Sequence, residues 1–402
     1  MRPSPRLTGR RLAALFVARI ALNTAYRIVY PFLPAIARGL DISVSSASRL
    51  VALRMLPGLA APWLGSIGDR QGRRRMIEPA LLVFSLAGLL LAGAGTLWAV
   101  AVAFAAYGLS KILFDPSLHA LLGDAIPYAQ RGRAVGLLEL SWSASWLLGV
   151  PASGYLIQHW GWRSPWAVLA VAGLVCLALT HWSLPRDRTP PPESPTGSGA
   201  GPASGSWRML LGRPGVLPML AVGVLLAFAI ELPFIVYGAW LEAAFGLSLS
   251  SLGLASIAIG LAEAVSELGT TVLTDRIGKR RSVLAGLLGL SVALAVLPWL
   301  AGFGLAAAMT GMVLVVLTFE FAIVSIIPLA TELVPDARAS FLSANVTAMV
   351  FGRMLGSVTG GWLWQNQVGG IALQAFLGAG LGLAAFLVMA LGVREIRIAE
   401  ET

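Results

Sequence analysis

Residues Gly65–Arg75 read GSIGDRQGRRR, a short basic turn between two long apolar runs. The pattern returns at Thr271–Arg281 as TVLTDRIGKRR. Asp69, Arg70 and Gly72 recur there with the same spacing as Asp275, Arg276 and Gly278. A single charged turn between hydrophobic helices is commonly only a solvated loop. Its recurrence at a fixed offset indicates an internal duplication.

The duplication extends beyond the basic turn. Ile28-Val29-Tyr30 recurs as Ile235-Val236-Tyr237, and Gly39-Leu40 recurs as Gly246-Leu247. Later matches pair Gly149 with Gly356, Gly154 with Gly361, and Gln158 with Gln365. Every pair is separated by about half of the 402 residues. The sequence therefore predicts two copies of one structural unit.

The composition places these copies in a membrane. Hydrophobic residues make up 57% of the chain, charged residues only 12%, and the mean hydropathy is +0.80. Such a chain is too apolar for a water-soluble domain. Apolar runs of about 20 residues, the length that crosses the hydrocarbon, can be placed about twelve times. The predicted spans cover residues 12–33, 46–68, 77–95, 97–122, 134–158, 165–182, 216–239, 251–274, 282–300, 303–329, 341–364 and 371–393.

The composition changes between the sixth and seventh predicted spans. Segment 183–215 contains TPPPESPTGSGAGPASGS, which cannot bury a core and predicts a flexible linker. We expect an N-terminal six-helix half at 1–182 and a C-terminal six-helix half at 216–402. Loop arginines and lysines concentrate at the two termini, in the linker and in the turns on the same side. The positive-inside rule then predicts cytoplasmic termini and a cytoplasmic linker, in a bacterial inner membrane. The net charge of +10 is thus a topology signal and needs no nucleic-acid partner.

This arrangement resembles the major facilitator superfamily (MFS) of secondary transporters. The residues that match the family's signature loop between spans 2 and 3 are Gly65, Asp69, Arg70, Gly72, Arg73 and Arg74. In the second copy Thr271 replaces the first glycine, while Asp275, Arg276 and Gly278 are retained. The resemblance implies an all-α integral membrane fold of twelve helices in two pseudo-symmetric halves. It also implies that the loop latches the two halves on the cytoplasmic side. The alternative is that the loop only anchors the topology.

Span 5 carries a second resemblance. Gly149, Pro151 and Gly154 resemble the glycine-proline motif of the family's antiporters, although Val150 stands where that pattern has a glycine. The alternative is a close helix crossing with a proline kink, which small residues at this spacing produce in any helix bundle.

Charges inside the spans of the first half are the main candidates for solute contact. Each costs at least about 2.5 kcal/mol to insert and should therefore face a partner or a cavity. Arg19, Asn23 and Arg27 are spaced by four residues and share one helical face. Lys111 and Asp115 have the same spacing and can neutralise each other. The expected cavity and solute residues are Arg27, Asn23, Arg54, Glu139 and Trp142, with Trp146 on the same face as Glu139 and Trp142.

The second half carries mostly acids in its spans. These are Glu231, Glu263, Glu267 and Glu320, with Arg353 as the basic exception. Glu263 and Glu267 lie one turn apart, where two like charges in low dielectric favour a shared proton. We expect the four acids to form a proton relay and to face the basic first half across a central cavity. The alternative is that they form salt bridges that hold spans together.

The sequence therefore predicts a proton-coupled efflux transporter, an antiporter for a small organic solute, that works by alternating access as a monomer in the lipid bilayer. One alternative is uptake or exchange of an anionic solute held by Arg27 and Arg54. An alternative of another class is a non-transporting receptor or assembly factor with the same fold. The histidines lack metal-ligand spacing and no nucleophile-base set stands out, so we expect neither an enzyme, nor a metal, nor a cofactor. The pattern GxxxxGK[ST] does not occur, which favours an ion or solute gradient as the energy source.

Overall fold

The computed structural model describes residues 9–60, 73–126, 136, 138–183, 211–334 and 337–393. Within these ranges the regular structure is entirely helical. Most of the predicted linker and the first part of the basic turn lie outside them.

In the described part of the chain, eight helices precede the linker. They are α1 (Gly9–Arg27), α2 (Val29–Gly39), α3 (Val44–Leu59), α4 (Arg74–Gly93), α5 (Leu97–Ala125), α6 (138–144), α7 (Val150–Trp160) and α8 (Ser164–Ser183). A π-helical turn, Ser145–Gly149, joins α6 to α7. Single-turn π segments inside α-helices are frequent at functional sites.

Seven helices follow the linker within residues 211–334 and 337–393. They are α9 (Val216–Phe234), α10 (Tyr237–Phe245), α11 (Leu249–Ile277), α12 (Lys279–Ala301), α13 (Leu305–Leu333), α14 (Arg338–Gln365) and α15 (Gly370–Gly392). Among the described residues, nine helical spans are long and apolar enough to cross a membrane, and the bent pair α1 and α2 makes a tenth. When α1–α2, α6–α7 and α9–α10 are each counted as one span, the helices match the twelve predicted spans in order.

The first span is broken, and it is longer than the sequence predicted. Its two helices meet at Ile28 with a bend of 58°, and the second continues to Gly39 where the prediction ended the span at Leu33. Pro31 explains the break, because it has no N–H to donate to the carbonyl of Arg27. The prediction was wrong because it treated prolines as the end of the span, whereas a proline in the first turn of α2 only redirects the helix.

The seventh span is also longer than predicted. It continues to Phe245, beyond the predicted end at Ala239, and it too changes helix after Phe234. The breaks follow Arg27 and Phe234, which occupy equivalent positions of the repeat. The duplication therefore includes the local conformation of the first helix of each half.

The described residues divide into two compact units. The first comprises the chain up to Gly201 together with Leu241–Gly260, and the second comprises Pro202–Trp240 together with Leu261–Thr402. The same helix pairs pack in both halves: α4 with α5 and α12 with α13, α4 with α8 and α12 with α15, and α1 with α8 and α9 with α15. The predicted boundaries at 182 and 215 stay a prediction.

Matched glycines allow close helix approach in each unit. A Cβ at Gly149 would lie 2.0 Å from Oγ1 of Thr24, and a Cβ at Gly356 would lie 2.5 Å from Cβ of Glu231. Thr24 and Glu231 are themselves equivalent positions of the repeat. The first membrane span of each half therefore crosses the fifth span of that half at a glycine, as small residues permit in membrane helices.

Candidate functional site

A polar network in the first unit is centred on Arg19 of α1. Only 2% of this residue is exposed. Its guanidinium donates to the carbonyl oxygen of Leu138 at 2.7 Å and to both carboxylate oxygens of Glu139 at 3.1 and 3.2 Å. Its Nε lies 3.5 Å from Oδ1 of Asp115. A buried guanidinium without such acceptors would be strongly destabilising, so Arg19 binds α1 to α5 and α6.

Lys111 connects the same network to Asn23. Its Nζ donates to Oδ2 of Asp115 and to Oδ1 of Asn23, both at 2.7 Å. Nδ2 of Asn23 donates to Oγ of Ser141 at 3.1 Å. The predicted ion pair between Lys111 and Asp115 is confirmed. Asn23 is fully buried and bonded at both ends of its amide, so it positions Lys111 in the conformation seen here.

His119 completes the network and was missed by the sequence analysis. Its Nδ1 lies 2.8 Å from the carbonyl oxygen of Asp115, and its Nε2 lies 3.0 Å from Oε1 of Glu139. The signal was available, because His119 follows Asp115 by four residues and Lys111 by eight, which places all three on one face of α5. Glu139, which we expected to contact solute, is thus held by Arg19 and His119.

An aromatic cluster lies beside this network. The guanidinium carbon of Arg27 is 4.7 Å from the ring centroids of Trp142 and of Trp146, and Nζ of Lys111 is 4.1 Å from that of Trp142. Tyr26 packs edge-on against Trp142 with centroids 6.4 Å apart. Cation–π contacts of this kind contribute about 0.5–2 kcal/mol each. The predicted solute residues Arg27 and Trp142 therefore lie together, with Lys111 between the network and the rings.

Arg54 of α3 reaches the break between α1 and α2. Only 1% of the residue is exposed, and its guanidinium carbon lies 3.8 Å from the ring centroid of Tyr26. Its Nη1 donates to the carbonyl oxygen of Tyr26 at 2.7 Å. Carbonyl groups at a helix C-terminus carry partial negative charge, which favours a cation there. Nε and Nη2 of the same guanidinium are buried without a hydrogen-bond partner.

The second unit carries a different buried ion pair at the equivalent crossing. Glu231 of α9 is fully buried, and its carboxylate accepts from Nη1 of Arg353 at 3.0 Å and from Oγ of Ser357 at 2.7 Å. Arg353 also lies 5.5 Å from the ring centroid of Phe319. Glu231, expected in the proton relay, is therefore paired with a cation and joins α9 to α14.

The other acids of the expected relay lie on α11 and α13. Glu263 is 3% exposed, and Glu267 and Glu320 are half-buried. Oγ of Ser266 donates to the carbonyl oxygen of Leu317 at 3.0 Å, which fixes the packing of the two helices there. Because Ser266 lies between Glu263 and Glu267, and Leu317 precedes Glu320 by one turn, the contact brings the three acids to neighbouring turns.

In the described parts of the two basic turns, arginines donate hydrogen bonds to carbonyl oxygens at helix ends. Gly65, Asp69, Arg70 and Gly72 lie outside the described residues, as does the side chain of Asp275. Arg73 begins the described part, and Nη2 of Arg74 donates to the carbonyl oxygen of His181 at the end of α8, at 2.7 Å. In the second copy Arg276 is exposed and Gly278 has φ +95°, a conformation that favours glycine. Arg280, equivalent to Arg74, donates to the carbonyl oxygens of Ala390 and Val393 at the end of α15.

The span 5 motif makes close contacts within the first unit. A Cβ at Gly154 would lie 2.6 Å from the carbonyl oxygen of Leu249, and one at Gly253 would lie 3.1 Å from Cα of Pro151. The motif therefore packs α7 directly against the start of α11. These contacts account for the glycines by packing alone and leave the antiporter interpretation a prediction.

Comparison with known proteins agrees with this architecture. The family model of the Major Facilitator Superfamily matches residues 15–357. The chain is 26% identical over 294 residues to YwfA, an uncharacterized MFS-type transporter of Bacillus subtilis (strain 168), covering 71% of this chain and 69% of that protein. It is 28% identical over 177 residues to the multidrug resistance protein MdtG of Klebsiella pneumoniae (strain 342), covering 42% of this chain and 43% of that protein.

Solved structures show the same fold at low sequence identity. A D-xylose-proton symporter superimposes with a TM-score of 0.73 at 17% identity, covering 96% of this chain and 98% of that one. A peptide transporter in complex with sulfate superimposes with a TM-score of 0.78 at 14% identity, covering 96% of both chains. The duplicated helical units, the apolar spans and the family match together establish that this chain belongs to the major facilitator superfamily and is a multi-pass membrane transporter, not an enzyme.

Proposed function

We propose that this transporter exports a small organic solute in exchange for protons, by alternating access between its two pseudo-symmetric halves. The observation that carries proton coupling is Glu263, a carboxylate in a membrane span with only 3% of its surface exposed. Glu267 follows it by one turn, and Glu320 of α13 lies one turn beyond Leu317, whose carbonyl oxygen accepts from Ser266 of α11. A group of acids in such a low-dielectric position shares protons more readily than it holds several negative charges.

Solute contact is proposed for the aromatic and basic cluster of the first unit. Arg27, Arg54 and Trp142 lie at the break between α1 and α2, and broken helices are the usual place for binding sites in secondary transporters. Glu139 and Asn23 act as positioning residues, because their polar groups are engaged by Arg19, His119 and Lys111.

Three of the expected relay acids keep that role in the proposal. The carboxylate of Glu231 accepts hydrogen bonds from Arg353 and Ser357. A proton reaching Glu231 would have to displace this pair, so we propose that Glu231 couples the relay to the packing of α9 and α14 and does not carry the transported proton.

The export direction is supported by similarity. MdtG is named a multidrug resistance protein, and a transporter gives resistance by lowering the amount of compound inside the cell. The motif of Gly149, Pro151 and Gly154, which resembles that of the family's antiporters, supports the same direction. We further propose that both termini and the linker are cytoplasmic in a bacterial inner membrane, that the loop Gly65–Arg74 gates the cytoplasmic side, and that the monomer is the functional unit.

Transport in reconstituted vesicles tests the coupling. Vesicles containing the full chain and an imposed pH gradient are supplied with radiolabelled probes that include ethidium and benzoate. We expect gradient-driven accumulation of at least one probe, its loss when nigericin dissipates the gradient, and its loss in Glu263→Gln. Exchange of the same probe at equal pH should survive in Glu263→Gln, because exchange requires the alternating site and no net proton movement.

Glu332→Gln provides the matched control. Glu332 lies near the end of α13, where it pairs with Lys279, and about a third of its side chain is exposed. The control should retain gradient-driven accumulation. The proposal would be contradicted if vesicles with the unsubstituted protein accumulated the probe equally with and without the pH gradient. Full gradient-driven transport by Glu263→Gln would also contradict it.

A further inference from the structure

Arg54 is only half satisfied by the protein. Its Nη1 edge bonds to the carbonyl oxygen of Tyr26, and its flat face covers the ring of the same residue. The opposite edge, formed by Nε and Nη2, is buried and makes no hydrogen bond. Buried N–H groups of a charged side chain are costly to leave unpaired, so this edge is a site for an acceptor that the described protein residues do not supply.

The neighbouring carboxylates are already engaged by other cations. Asp115 accepts from Lys111 and lies beside Arg19, and Glu139 accepts from Arg19 and lies beside His119. Within the described parts of α1, α3, α5 and α6, Arg54 therefore has no carboxylate at ion-pair distance. The bilayer interior makes such an uncompensated charge expensive, and an anionic ligand would remove the cost.

The local geometry selects the kind of anion. The free Nε and Nη2 of a guanidinium present two parallel N–H groups, which match the two oxygens of a carboxylate. Lys111 is also close to Tyr26, with its Nζ 6.0 Å from the ring centroid, and adds positive potential. The rings of Tyr26 and Trp142 supply an apolar boundary that suits an organic group better than a hydrated inorganic ion.

We propose that the free edge of Arg54 binds the carboxylate group of the transported solute, so that the substrates of this transporter are small organic acids in their anionic form. This inference rests on the proposed transport function and specifies the substrate class of the same site. The edge is closed off in the conformation seen here, so binding requires the opening that alternating access provides.

A binding experiment on the detergent-purified full chain tests the proposal. The probes are benzoate and indole-3-acetate, each compared with its neutral amide, and the readout is the dissociation constant from ligand-dependent thermal stabilisation at constant pH. We expect both acids to stabilise the unsubstituted protein and neither amide to do so. In Arg54→Gln the affinity for the acids should fall by about tenfold to a hundredfold, the usual effect of losing a bidentate charge-assisted pair.

Two further variants make the result decisive. Arg49→Gln removes an exposed arginine from the same helix and should leave the affinities unchanged. Arg54→Lys keeps the charge and loses the two parallel donors, so it should fold even if Arg54→Gln does not, and should also bind the acids more weakly. Three results would each overturn the inference: equal stabilisation by acids and amides, stabilisation by sulfate as strong as by benzoate, or unchanged affinity for the acids in Arg54→Lys. In each case water or an inorganic ion would account for this edge of the guanidinium.

Failure of the inference and failure of the proposed function give different results. Binding at constant pH does not involve proton coupling, so an Arg54-dependent carboxylate site without gradient-driven transport would overturn the export proposal alone. Gradient-driven transport of ethidium with no binding of either acid would overturn the carboxylate inference alone.

Discussion

The ion pair of Glu231 and Arg353 allows a quantitative test of what a buried charge contributes in the second unit. Glu231→Gln keeps the size of the side chain and the acceptor for Ser357 but removes the negative charge. Loss of one partner of a buried ion pair costs about 3–5 kcal/mol, because the other charge stays buried without compensation. The side chain of Arg353 is 24% exposed, so water screens part of its charge and we expect the lower end, about 3 kcal/mol.

This free energy is measured by unfolding the purified protein in mixed micelles with increasing SDS, followed by tryptophan fluorescence. About 3 kcal/mol corresponds to roughly two powers of ten in the unfolding equilibrium. The double variant Glu231→Gln with Arg353→Gln removes both charges and should recover most of the loss. Ser357→Ala, which removes one hydrogen bond to the carboxylate, should cost about 1.5 kcal/mol.

An exposed pair provides the comparison. Glu332→Gln breaks the pair with Lys279, in which each side chain is about one-third exposed, and should cost under about 1 kcal/mol. The reasoning is refuted if Glu231→Gln is no more destabilising than Glu332→Gln. It is also refuted if the double variant loses the sum of the two single effects, because the charges would then not be compensating each other.

Two other predictions concern packing and topology. Gly149→Ala should destabilise the protein by about 1–3 kcal/mol, because its Cβ would lie 2.0 Å from Thr24. Gly93→Ala, whose Cβ would have nothing within 4 Å, should be neutral. Equal unfolding midpoints for the two variants would contradict this packing argument. A protease site inserted near Ser198 should be cut from the cytoplasmic side of inverted vesicles and not from outside intact cells, and cleavage from outside would reverse the proposed orientation.

The sequence by itself determined the class of fold. Repeated runs of about 20 apolar residues are unfavourable in water and match the thickness of a bilayer. Two copies of the basic turn of Gly65–Arg75, separated by half the chain length, indicate a duplicated unit. Local spacing also predicted the pair of Lys111 and Asp115, since residues four apart meet on one helix face. These properties depend on composition and on short-range periodicity, which one chain displays without its neighbours.

Tertiary structure decided which charges meet. The pairing of Arg19 with Glu139 spans 120 positions of sequence, and the pairing of Glu231 with Arg353 spans 122. No local pattern announces such contacts, because they depend on how α1 crosses α6 and how α9 crosses α14. The hydrogen bonding of Arg54 also depends on tertiary structure. The sequence places this residue in a membrane span, but only the packed helices show that Nη1 bonds to the carbonyl oxygen of Tyr26 near the break at Ile28 while Nε and Nη2 have no partner among the described residues.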